Sequence, residues 1–169
     1  REAITSPSVW NALYVSYRFM LIILPTVIVG SLILALITNA VPFAKSLFAV
    51  GFFLPYLSSG VAVSVVVRGL ISFNSPINTF LRRTIGSSPN WLGNDNLAIL
   101  LISGMIAWKL SGYYALIFLS GLQSIPKQVY EAASIDGASS WRQFWSITIP
   151  MLYPSMYTVV ILAVGIMFS

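Results

Sequence analysis

Residues Phe19–Thr38 read FMLIILPTVIVGSLILALIT, a run without a single charge. The apolar core of a bilayer is about 30 Å thick and takes about 20 apolar residues to cross as a helix. The run therefore predicts a membrane-spanning helix. Pro25 and Gly30 interrupt it, as membrane helices tolerate. Three further runs follow. Leu47–Val67 (LFAVGFFLPYLSSGVAVSVVV) is closed by Arg68, and Leu97–Leu122 (LAILLISGMIAWKLSGYYALIFLSGL) carries Lys109 near its middle. The fourth, Met151–Phe168, runs out where the chain stops. The expected fold is all-α, a polytopic transmembrane bundle with four spans.

Composition agrees. Of the 169 residues 57% are hydrophobic and 8% charged, against about 25% charged in a soluble domain, and mean hydropathy is +0.87. With four acids, no His and no Cys, little is left for a metal site, a thiol nucleophile or a His-based acid–base pair. The nine basic residues behind the net charge of +5 are scattered among apolar runs, which suits the ends and loops of membrane spans and is no nucleic-acid signature. The chain opens on Arg1 and closes on Ile166-Met167-Phe168-Ser169 inside an apolar run, so residues 1–169 are expected to be one transmembrane domain that is part of a longer chain.

The connections differ in character. Residues 39–46 (NAVPFAKS) read as a short turn with Pro42 and Lys45. Residues 72–96 (SFNSPINTFLRRTIGSSPNWLGNDN) are polar and punctuated by Pro and Gly, which argues for irregular structure. Within them Phe73, Ile77, Phe80 and Leu81 have the spacing of a short interfacial helix, and Arg82 and Arg83 read as solvated loop charges or as contacts to an external protein. Ahead of the first span, residues 2–17 are mildly amphipathic, with Trp10, Tyr14 and Tyr17 placed for an interface. Four spans put both ends of the chain on one side. Lys45, Lys127 and Arg142 then share one face of the membrane, against Arg1, Arg18, Arg68, Arg82 and Arg83 on the other. By the positive-inside rule alone, residues 124–150 would lie outside.

Those residues, SIPKQVYEAASIDGASSWRQFWSITIP, are not loop-like. Pro126 pushes Ile125 out of the helical region and fits a first turn. Gly137 suits the left-handed conformation that ends a helix. Ser140 and Gln143 have capping-box spacing. Trp141, Phe144, Trp145 and Thr148 share one face of the second helix, and Pro150 leads into the last span. The unit is a helix–turn–helix held at the membrane surface, either an amphipathic interfacial hairpin or a docking surface for a soluble partner.

The run Glu131-Ala132-Ala133, then Gly137, then Ile147-Thr148-Ile149-Pro150 resembles the EAA loop of ABC importer permeases, E-A-A-x₃-G-x₉-I-x-L-P, with Ile149 in place of Leu. Gly121-Leu122-Gln123-Ser124-Ile125-Pro126, Ile135-Asp136-Gly137-Ala138 and Trp141 are similar to the carbohydrate branch of the maltose and glycerol-phosphate type. So are Phe52-Phe53-Leu54-Pro55-Tyr56 and Asn90-Trp91-Leu92-Gly93. The resemblance covers nearly the whole chain. It implies a type I importer permease fold and a multi-pass location in a bacterial inner membrane. It also implies partners: separate ABC ATPase subunits that use the ATP, a second related permease and an extracytoplasmic solute-binding protein. In such permeases the EAA loop is cytoplasmic and its helix lies in a cleft of the ATPase, which overrides the charge count. The resemblance would make Glu131 the charged contact, with an alternative in an i,i+4 pair with Lys127. Ala132 and Ala133 would permit close approach, Gly137 would make the turn, Asp136 would cap locally or face the ATPase, and Ile147 and Pro150 would complete the signature.

Lys109 is the one charge near the middle of a span, where it costs roughly 2.5–3.5 kcal/mol on insertion scales and so should face water or a partner. Ser111, Tyr113 and Tyr114 share its turns, Gly112 loosens them, and Trp108 reads as packing. Hydroxyls and aromatic faces suit a sugar, so Lys109, Ser111, Tyr113 and Tyr114 are candidates for the substrate path. The alternatives are a snorkelling or subunit-paired lysine and tyrosines packed between helices. Pro25, Pro55 and Pro154 read as ordinary membrane-helix prolines or as pivots. No G-x-x-x-x-G-K-[ST] phosphate cradle is present, so no nucleotide or other cofactor is expected on this chain. Two other functions remain open. An ion-gradient-driven secondary transporter usually wants a carboxylate within a span, and no span here has one. A membrane-embedded enzyme would need a nucleophile, metal or acid–base pair, and only Glu131 and Asp136 lie close together.

Overall fold

A computed structural model of the chain describes residues 6–41, 43 and 45–167. The expectations that concern Arg1, Glu2, Pro42, Phe168 and Ser169 lie outside the described residues. Every regular element described is helical: α1 (Pro7–Ala40), α2 (Lys45–Leu57), α3 (Gly60–Leu70), α4 (Pro76–Ile85), α5 (Asp95–Ser124), α6 (Lys127–Ile135), α7 (Ser140–Gln143), a π-helical turn (Phe144–Thr148), α8 (Ile149–Met151) and α9 (Tyr153–Met167).

Among the described residues two helices are long and apolar enough to cross a membrane unaided, α1 with 34 residues and α5 with 30. The first takes in the stretch before the apolar run. Pro7 sits in its first turn, where a missing N–H costs nothing, and Pro25 lies inside the helix without ending it. Trp10, Tyr14 and Tyr17 are exposed along this extension. The other two expected spans are bent pairs. Leu47–Val67 is divided between α2 and α3, which meet at 92°. Pro55 in the last turn of α2, followed by Ser58-Ser59-Gly60, supplies the break: the Ser58 Oγ donates to the Leu54 carbonyl at 3.1 Å and its N–H to the Pro55 carbonyl at 3.3 Å, in place of a continuing helix. The stretch from Ser140 to Met151 meets α9 at 59°.

The core lies between α1, α5 and α9. Ile23, Val27, Ala35, Tyr114, Phe118, Val159 and Ala163 are all buried in it. Buried positions 23, 27, 31 and 35 recur every fourth residue along α1, the ridge that packs into a neighbour's groove. Small residues permit close approach, as is usual between membrane helices. Ser31, Ser103, Ala107 and Ser111 are buried at the contact, and a Cβ on Gly30 would stand only 3.0 Å from the Ser111 Oγ. Gly112 goes further: a Cβ there would overlap the Phe52 carbonyl oxygen of α2. Its role is thus backbone contact with α2, and α5 runs through it unbroken, where the sequence pointed to a loosened turn. Gly121 similarly admits Ser155 and Leu152.

Candidate functional site

The unit at 124–150 is built as a clamp. Ile125 adopts an extended conformation (φ −74°, ψ 120°), ending α5 before Pro126. Helix α6 ends at Gly137, which has φ +75°. The Ala138 N–H donates to the Ala133 carbonyl at 2.9 Å and the Gly137 N–H to the Ser134 carbonyl at 3.1 Å, the paired bonds of a Schellman ending. Ala133 and Gly137 thus have local structural roles, and Asp136 is the C-cap residue between them. Its N–H donates to the Ala132 carbonyl at 3.0 Å.

The cap of the second helix differs from the sequence reading by one residue. Ser139, not Ser140, accepts from the Arg142 N–H, at 3.4 Å. Gln143 is not reaching back to a cap. Its amide donates to the Ser134 Oγ and the Ala138 carbonyl, each at 3.0 Å, and so ties α7 to α6. A second tie joins the Tyr130 hydroxyl to the Thr148 hydroxyl at 2.8 Å. Thr148 is buried and leaves the aromatic face that the spacing assigned to it. Trp141, Phe144 and Trp145 remain together, with ring centroids 5.2–6.2 Å apart, and both tryptophans are exposed.

The π-turn has a cause in the signature itself. Pro150 has no N–H to give the carbonyl four residues back, and the chain widens: the Ile149 N–H reaches the Phe144 carbonyl, five residues away. Ile147 is half-buried and Pro150 exposed. On α6, Glu131 and Ala132 are exposed and Ala133 half-buried. Among the described residues Glu131 makes no ion pair with Lys127. The acid therefore stands free on the outer surface of a unit whose inner surface is bonded to itself.

The substrate-path candidates separate. Ser111 is buried against α1 and donates to its own helix at Ala107, 2.6 Å away. Tyr114 is fully buried, its hydroxyl without a partner among the described residues. Tyr113 is half-buried and stacks on Tyr56 of α2 with centroids 4.7 Å apart. Tyr113 also lines a groove of about 530 Å³ with Ser120, Gly121, Ser155 and Thr158. Lys109 is half-buried and points to the break between α2 and α3, its Nζ 3.7 Å from the Cβ position of Gly60. Trp108 is exposed.

At the other end of α5 stands a residue that the sequence reading passed over. Asn78 is buried, its amide donates to the Ile71 and Ser72 carbonyls at 2.9 Å each, and its oxygen accepts from the Trp91 indole at 2.9 Å. The signal was the pair Asn78 and Trp91, an amide and an indole able to hydrogen-bond within one polar stretch. Arg82 bonds the Phe73 carbonyl at 2.7 Å and lies over its ring, 4.2 Å from the centroid, so it holds the loop together and is not merely solvated. A short helix does form there, α4, and it holds Ile77, Phe80 and Leu81 of the expected set but not Phe73.

Residues 4–169 match the family model described as binding-protein-dependent transport system inner membrane component. The chain belongs to this family. Among relatives of the family, it is 36% identical over 163 residues to the lactose transport system permease of Rhizobium radiobacter, covering 94% of this chain and 55% of that one. It is 32% identical to the arabinooligosaccharides transport system permease of Bacillus subtilis, over 94% of this chain and 50% of that one. To the sn-glycerol-3-phosphate transport system permease of Agrobacterium fabrum it is 36% identical, over 75% and 43%. The chain thus spans about half the length of the curated relatives it matches. Its fold is that of a bacterial ABC transporter involved in alginate import, with a TM-score of 0.86 at 22% identity over 96% of this chain and 58% of that one. A second structure shares it (TM-score 0.87, 22% identity, 98% and 59% covered), an alginate transporter in complex with a pentasaccharide-bound periplasmic protein. The family reading of the sequence, its carbohydrate branch and the inner-membrane location stand on these matches.

Proposed function

We propose that the chain is the membrane-spanning part of an ATP-driven importer for a sugar or sugar-like solute. In this reading ATP is hydrolysed on separate ATPase subunits, a second related permease completes the pathway, and a solute-binding protein delivers the solute from outside. The chain carries no cofactor of its own. The names of its relatives, which concern lactose, arabinooligosaccharides and glycerol phosphate, support a sugar-like solute.

The observation that carries the reading is the architecture of 124–150. Glu131 and Ala132 are presented outward, Gly137 turns the chain, and Tyr130–Thr148 fixes the presenting helix to the element that leads into α9. A push on α6 is therefore passed to a span instead of being absorbed in a loose loop. This unit lies in the cytoplasm in the proposed arrangement, at one end of α5. Residues 72–96 lie outside, about 45 Å away along a 30-residue helix. Lys109 and Tyr113 keep partly open faces and are the path candidates on which the proposal leans. Ser111 and Tyr114, packed within this chain, would contribute by shaping the helix contacts.

The test is capture of the ATPase. The importer is expressed with its partner subunits and the permease is purified by a tag. Glu131→Ala combined with Gly137→Leu is expected to reduce co-purified ATPase at least tenfold, with normal amounts of permease in the membrane. Full recovery of ATPase by the double variant would refute the proposal.

A further inference from the structure

Helix α3 is an arm that is only lightly packed among the described residues. None of its residues is buried. Along one face, Ser59, Gly60, Val61, Ser64, Val65 and Arg68 line an open groove of about 530 Å³. One end of it, at Gly60, is where the Lys109 Nζ arrives from α5. The other is Arg68, roughly 12 Å further along the helix at 1.5 Å per residue. A cation thus stands beside Gly60 at one end and another, Arg68, at the other; Ser59 lies at the Gly60 end and Ser64 between them, its hydroxyl donating to the Gly60 carbonyl at 2.7 Å.

Neither cation is satisfied. Among the described residues, Lys109 and Arg68 make no hydrogen bond or ion pair. Other basic groups do: Arg18 bonds Asn96 at 2.6 Å, Lys45 bonds Asn39 at 3.2 Å and Arg82 bonds the Phe73 carbonyl. No carboxylate of the described residues can reach Lys109. Asp95 opens α5, about 21 Å back along the helix axis, and Glu131 and Asp136 lie beyond its other end. A lysine at mid-membrane is costly unless water or a counter-charge meets it. Arg68 is accounted for in part by its place in the last turn of α3, where a cation complements the helix dipole. That leaves its outward-facing guanidinium free to bind an anion.

Resting on the importer reading above, we propose that the groove between Lys109 and Arg68 takes an anionic solute, a sugar bearing a carboxylate or a phosphate, in preference to neutral sugars. The chemistry is charge-assisted hydrogen bonding, which is shorter and stronger than its neutral counterpart. In a partly dry site it discriminates strongly, because a neutral solute would leave the ammonium unpaired.

The experiment uses the complete importer in proteoliposomes with saturating loaded binding protein. ATP-driven uptake is compared across neutral saccharides, uronate-containing saccharides and sugar phosphates, the last two arms separating carboxylate from phosphate. Wild type is expected to carry an anionic solute. Lys109→Gln is expected to lower its uptake at least tenfold more than that of any neutral solute, Arg68→Gln about threefold more, and Lys109→Arg to keep most of it. Absence of ATP-driven uptake of every solute overturns the importer reading and this one with it. Uptake of neutral saccharides alone, or equal loss of all solutes in Lys109→Gln, leaves the importer standing and overturns this inference. So does failure of Lys109→Gln to assemble with the second permease, which would make the amine a tie between subunits.

Discussion

The hydroxyls of Tyr130 and Thr148 lie 2.8 Å apart and join two elements 18 residues distant in the chain. Both groups are partly or wholly withdrawn from solvent. Tyr130 stands one residue before Glu131, and Thr148 stands inside the π-turn that leads toward α9. The bond thus links the helix that presents the acid to the base of a span.

Tyr130→Phe removes this bond and little else. A hydrogen bond of this kind contributes about 0.5–1.5 kcal/mol net, too little to unfold the unit while Gln143 still bridges α6 and α7. The expected result is normal ATPase binding with looser coupling, a two- to fivefold fall in solute carried per ATP hydrolysed. The ratio is measured in proteoliposomes by parallel uptake and phosphate release. An unchanged ratio would show that force passes by another route.

The orientation is testable because the stretch holds no cysteine. Single cysteines at exposed positions, Asp136→Cys in the turn after α6 and Arg83→Cys on α4, report the side that each faces. A membrane-impermeant maleimide added to intact cells is expected to label the Arg83→Cys variant strongly and the Asp136→Cys variant only after the membrane is opened. The opposite pattern would restore the orientation suggested by the basic-residue count and remove the coupling role of 124–150.

How much was legible in the sequence depends on which residues set each feature. Long charge-free runs announce α1 and α5, because span length is a property of composition. Gly137 announces its own turn, because only a residue without a Cβ enters that region cheaply. The break at Ser58-Ser59-Gly60 was hidden: the run around these three small residues is apolar enough as a whole to read as one span, and proline is common in membrane helices. The cap was misplaced by one position because Ser139 and Ser140 are chemically equal, and only the direction of the chain leaving Gly137 chooses between them. The role of Gly112 depends on the Phe52 carbonyl, far away in the chain, and that of Asn78 on the Trp91 indole 13 residues on, and neither pairing follows from helical or strand spacing. Lys109 was visible as a mid-span charge, but its destination at Gly60 is a tertiary fact.

Asn78 gives a prediction about the loop at 72–96. It is the buried point at which three partners converge, two carbonyls and one indole. Asn78→Asp keeps the shape but puts a carboxylate oxygen where the amide nitrogen donated to both carbonyls, leaving buried groups unpaired at about 1–3 kcal/mol. Trp91→Phe removes only the indole donor. Limited proteolysis in detergent is therefore expected to cut the segment 86–94 several-fold faster in Asn78→Asp than in Trp91→Phe, with wild type slowest. Equal cutting rates in the three proteins would show that Asn78 does not order this loop.

The close approach of α2 and α5 at Gly112 sets the last prediction. A methyl at this position would overlap the Phe52 carbonyl oxygen, which is backbone and cannot turn aside, so the two helices must separate. Overpacking of this kind typically costs about 1–3 kcal/mol. Gly30→Ala is the instructive comparison. Its Cβ would sit 3.0 Å from the Ser111 Oγ, a side-chain atom able to move once it gives up its bond to Ala107. At about 2–4 °C per kcal/mol for a chain of this size, Gly112→Ala is expected to lower the Tm of the detergent-solubilised protein by several degrees, and Gly30→Ala by clearly less. The separation also disturbs the stacking of Tyr56 on Tyr113, so quenching of fluorescence around these rings should change in Gly112→Ala and not in Gly30→Ala. A reversed order of the two Tm shifts would mean that α2 is not held against α5 through this glycine.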